Sequence, residues 1–116
     1  LEQEDPLDLL RRMLVELSEV AVRFETHTRI AVRYELMSGN METVQYLLPV
    51  LRRVFGPGVS EEELRVCGFG IISTLQLVLL RPDPFMKYSG IDVTVQEGRN
   101  RLIDILANRM VGSRGR

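Results

Sequence analysis

One histidine, one cysteine and a run of three glutamates are the residues from which catalysis or metal binding would have to be assembled. His27 sits in Glu25-Thr26-His27-Thr28, with no second histidine or cysteine at ligand spacing and no acid placed to make it a base, so it reads as a partly exposed residue at a helix break. Cys67 has apolar sequence neighbours and nothing beside it to stabilise a thiolate; it reads as an inert buried thiol. Glu61-Glu62-Glu63 point around a helix start, where they favour the positive end of the dipole rather than converge on a metal. Gly68 and Gly70 lack the preceding strand and third glycine of a phosphate loop. Inside a helix they mark close approach of another helix, at about 1 kcal/mol each in propensity. The expectation is a protein that is not an enzyme, with no catalytic residue, metal or cofactor.

Polar side chains within apolar stripes are more informative. Tyr34, Gln45, Tyr46, Ser73, Thr74 and Gln76 each need a hydrogen-bond partner if buried, and backbone or water is the ordinary one. Together with Met37, Phe69 and a bend at Pro49, they could line an apolar pocket with a few orienting groups. The candidate ligand-binding set is Tyr34, Met37, Tyr46, Phe69 and Gln76, facing a small hydrophobic effector.

The elements that would position these residues are helices. Asp5-Pro6 opens a long amphipathic helix through Leu10, Met13, Leu14, Leu17, Ala21 and Phe24 to about Glu25. After a break or restart capped by Thr26 or Thr28, the stripe Ile30, Ala31, Tyr34, Met37 continues to Ser38-Gly39. Asn40 should cap the next helix, which buries Val44, Leu47, Leu48, Leu51, Val54 and Phe55 and is kinked at Pro49. Gly56-Pro57-Gly58 turns the chain.

Residues 66–80 then run without a charge, entered by a capping box from Ser60 to Glu63 and left at Pro82. Fifteen residues span about 22 Å, short of the roughly 30 Å of a bilayer core, so no membrane span is expected. A small bundle cannot easily cover a helix that is apolar all round, and a second copy would complete it. The expected homodimer interface is Ile71 and Leu75 here, with Leu102, Ile105 and Leu106 on the closing helix. Before that helix, residues 81–84 read as rigid loop, 85–88 as a single turn and Ser89-Gly90 as a break. The closing helix starts from a capping box, Thr94 to Glu97, buries Leu102, Ile103, Ile105, Leu106 and Met110, and stops at Gly112. No strand pattern competes, so the fold class is all-α, a bundle of five to six helices.

Residues 1–116 form one domain, with 45% hydrophobic and 27% charged residues. The net charge is −1, and the fifteen basic residues are spread along the chain, which is not the footprint of a nucleic-acid surface. A single cysteine and no leader pattern point to the cytoplasm. A first residue of Leu1 rather than Met suggests a piece of a longer protein.

Taken in order, the long first helix after Asp5-Pro6, RIAVRYELMSGN (29–40), the proline-bent YLLPVLRRVF (46–55), the apolar FGIISTLQLVLLRP (69–82) and the closing RNRLIDILANRMVG (99–112) resemble the C-terminal ligand-binding and dimerisation domain of TetR-type transcriptional repressors. The resemblance covers nearly the whole chain through helix and turn patterns. It implies that the apolar and closing helices pair with their copies in a four-helix interface, while the earlier helices enclose an effector pocket. It also implies an N-terminal helix-turn-helix domain that reads DNA, missing from these 116 residues, so DNA binding falls on none of them. Two functions follow: sensing of a small hydrophobic molecule, or helical dimerisation and protein interaction without a ligand. A cavity of mixed lining favours the first and a solid core the second.

Overall fold

The computed structural model describes residues 4–39 and 41–111 and is helical throughout, with no strand among those residues. Helix α1 (Pro6–Arg23) starts with Pro6 in its first turn, where the missing N–H would have no partner anyway. Asp5 occupies the N-cap position, but its side chain makes no capping bond. Leu10, Met13 and Leu14 turn into the core. The chain breaks at Phe24, and α2 (Glu25–Ser38) restarts there without a side-chain cap. Thr28 lies inside α2 instead of capping it; its hydroxyl donates back to the Phe24 carbonyl at 3.0 Å, a bond open to short polar side chains in helices. Gly39 closes α2 at φ 76°, a left-handed position that glycine takes without a Cβ clash.

Asn40, expected as the next cap, lies outside the described residues. Helix α3 (Glu42–Phe55) runs through Pro49, whose side chain is on the exposed side, and buries Val44, Leu47, Leu48, Val50 and Leu51. Helix α4 (Glu61–Leu80) forms the expected capping box: the Glu63 N–H donates to Ser60 Oγ at 3.1 Å and the Ser60 N–H to Glu63 Oε1 at 3.3 Å. At 20 residues it is longer than its uncharged run, and by length and composition it alone among the described helices could cross a membrane. Its inner face, Leu64, Gly68, Ile71, Ile72, Leu75 and Val78, is packed in the protein core.

Pro82 ends α4 as expected but opens no rigid loop. It is the first residue of α5 (Pro82–Ser89), because a proline that cannot continue one helix is well suited to start another. Helix α6 (Gln96–Asp104) is continued by a π-helical segment, Ile105–Val111. The expected Thr94–Glu97 box is not formed. Val95 takes the N-cap position, and Thr94 instead gives its hydroxyl and its N–H to the Asp92 carboxylate, an Asx turn. Those two bonds, the hydroxyl's first, hold the Asp92 carboxyl below its usual range.

The core is one cluster in which α1, α3, α4 and α6 meet, with Leu10, Leu14, Leu47, Leu51, Ile71, Ile103 and Leu106 fully buried. A Cβ on Gly68 would stand 3.2 Å from Val44 and 3.4 Å from Leu51, so this glycine marks the approach of α3 to α4 that the sequence leads one to expect. Gly70 does not; the space around it is open. The side chain of Met110 and Gly112, expected to close the last helix, lie outside the described residues.

Candidate functional site

A groove of about 180 Å³ lies where α2 crosses α1 and α4. Helix α1 contributes Leu17, Val20 and Ala21, α2 contributes Thr28, Ala31, Val32 and Glu35, α3 contributes Thr43, and α4 contributes Ile72, Leu75, Gln76 and Leu79. The groove exists because α2 never sinks into the core: none of its residues is buried, and small side chains, Ala21 and Ala31, stand where larger ones would close the gap. A cavity of about 150 Å³ with apolar walls is enough to hold benzene, so this one accommodates a single-ring molecule.

Polar bonds pin α2 at two places. Arg29 donates to the Leu80 carbonyl at the end of α4 at 3.1 Å, while also pairing with Glu25 on its own helix at 3.0 Å. Six residues along, the Glu35 carboxylate accepts from the Thr43 backbone N–H and from the Thr43 hydroxyl, both at 3.2 Å, tying α2 to the first turn of α3. The helix is thus held over the groove by polar clips rather than by buried apolar area.

Of the five residues expected to face a ligand, Gln76 lines the groove. Tyr46 lines an adjoining depression that shares Leu17, Val20 and Thr43 with it. Tyr34 and Met37 are exposed on α2, and Phe69 on the outer side of α4, so these three do not meet the groove. The error on α2 is one of phase. Of the expected stripe, Ile30, Tyr34 and Met37 point out, while Ala31 lines the groove beside Thr28, Val32 and Glu35. Glu35 and Thr43 were missed because a charged residue beside an apolar stripe reads as solvent-facing; the signal that could have found them is that Thr28, Val32 and Glu35 recur at helical spacing.

The expected dimer-interface residues are also placed differently. Ile71, Leu75, Leu102 and Leu106 are buried in the core by their own chain, and Ile105 is half-buried. An all-apolar helix carries no mark of which face turns inward, and α3 settles it by packing over Gly68. The face of α4 left uncovered is Val66, Phe69, Gly70 and Leu77, with Ser73 half-buried between them and with Val66 72% and Leu77 69% exposed.

The residues first considered for chemistry do not converge. His27 is exposed, its ring edge-on to Phe24 at 6.3 Å. Glu61 pairs with Arg52 at 2.6 Å and Arg65 at 3.3 Å, and Glu63 is engaged in the capping box. Among the described residues no three His, Cys, Asp or Glu side chains gather into a metal site. Compared with family models, curated proteins and solved structures, the chain matches none.

Proposed function

We propose that this domain senses a small lipophilic molecule in the groove between α1, α2 and α4, as the effector-binding and dimerising part of a TetR-like transcriptional regulator whose DNA-reading domain lies outside these residues. The observation that carries the reading is the groove itself, walled by apolar side chains and capped by a helix with no buried residue. A ligand there would touch α2, α1 and α4 at once, adding the apolar contacts that α2 lacks. Binding would therefore favour one placement of α2 over others, which is what a sensor needs in order to transmit occupancy. A panel of single-ring compounds, neutral and cationic, should raise the melting temperature of the domain, by about 2.7 kcal/mol of added stability at a concentration one hundred times Kd. Absence of any shift across such a panel, at concentrations up to their solubility, would remove the sensing role.

A second reading, association of two copies without a ligand, is favoured by the uncovered face of α4. Two α4 helices packed antiparallel with Gly70 against the partner's Ser73 put Val66 against the partner's Leu77. The same register sets Glu62 beside the partner's Arg81, both exposed, at each end of the contact. A shallow crossing of about 20° keeps these long side chains within reach of each other. The apolar middle and the complementary ends both fit a second copy. Glu62→Arg should weaken the dimer about tenfold, because the symmetric contact is altered twice, and Glu62→Arg with Arg81→Glu should restore it. Sedimentation velocity at tens of micromolar reads both; a monomeric wild type, or a double variant no tighter than the single one, contradicts the pairing.

A further inference from the structure

Resting on the groove as the ligand site, we propose that it selects a protonated amine carried on a single apolar ring. Of the residues lining the groove, Glu35 alone is ionisable. Its carboxylate is half-buried, and among the described residues its partners are the N–H and hydroxyl of Thr43, with no ion pair. A carboxylate offers about four lone-pair sites, so two remain after Thr43 is served. A ligand without a hydrogen-bond donor, seated on Leu17, Ile72 and Leu79, would strip water from those sites and give nothing back, and a neutral hydroxyl would return only a weaker bond. An anion would add repulsion. An ammonium one or two methylenes from the ring meets the carboxylate in a partly dehydrated setting, where a charge-assisted hydrogen bond is at its strongest. Gln76, across the groove on α4, offers its amide oxygen as a second acceptor for the same group.

Three isosteric probes separate the claim from the reading it rests on: 2-phenylethylamine, 2-phenylethanol and phenylacetate, titrated by NMR at pH 7 into the whole chain. The wild type should bind the amine about tenfold more tightly than the alcohol, with phenylacetate weakest. Glu35→Gln, which keeps an acceptor for Thr43 and removes the charge, should bring the amine within threefold of the alcohol. Thr43→Val, which removes the same hydroxyl bond but keeps the charge, should preserve the amine preference. Equal binding of amine and alcohol by the wild type, or a preference that survives in Glu35→Gln, overturns the charge selection while leaving the groove in place. No binding of any probe overturns both.

Discussion

Ile71→Arg will cost the domain at least about 4 kcal/mol and will lower its melting temperature by some 20 °C, because the new charge has neither water nor a partner in the core. Ile71 is 1% exposed and sits among the fully buried side chains of α1, α3 and α4. A single domain holds only about 5–15 kcal/mol in total, so a loss of this size removes between about a quarter and most of its stability. Phe69→Arg, two residues earlier on the same helix but on the uncovered face, should change the stability of the fold by less than about 0.5 kcal/mol. Its effect should fall on association instead. Circular dichroism melts of the two variants decide between core and interface: a folded, monomeric Ile71→Arg would mean that Ile71 is covered by a second copy and not by its own chain.

Gly98→Ala should destabilise by about 3 kcal/mol, although alanine is the better helix former. A Cβ built on Gly98 would lie 1.7 Å from the Asp92 carbonyl oxygen and 2.5 Å from its carbon, and these are backbone atoms that cannot rotate aside. The loop between α5 and α6 would have to move. That loop is tied to α6 by the buried Arg99, which donates to the Val93 carbonyl at 3.0 Å, so the displacement would also strip the guanidinium of that bond. Urea denaturation should show the midpoint falling with the slope unchanged. A variant as stable as the wild type, or more stable by the ordinary helix-propensity gain, would show that the close approach of Asp92 to α6 is not maintained in solution.

Gly98 also illustrates what the sequence does and does not make legible. Within its own helix it is an unremarked glycine, and only the fold brings Asp92 over it. The capping box at Ser60 and Glu63, the proline entry to α1, the glycine exit from α2 and the close approach over Gly68 were all readable, because each is a local rule acting on neighbouring residues or on helix propensity. The all-α class followed from them. The faces of two helices were not readable, for opposite reasons. On α4 every face is apolar, so composition does not distinguish Ile71, which is buried, from Val66, which is not. On α2 the apolar stripe is real but faces out, because that helix rests on its neighbours through Arg29 and Glu35 rather than through Ile30 and Tyr34. The groove is a consequence of that inversion: a helix that buried its most apolar stripe would have left no space for Gln76 and Glu35 to line.

The most direct test of ligand sensing is therefore to fill the groove without touching the core. Ala31 lines it from α2 and is itself exposed, so Ala31→Trp sets an indole at the groove without replacing a core side chain. Calorimetric titration of a single-ring ligand that stabilises the wild type should show binding lost, by at least tenfold in Kd, in an Ala31→Trp variant whose own melting temperature is equal to the wild type's or higher. Binding of the same ligand with unchanged affinity in that variant would place the ligand elsewhere and contradict the account.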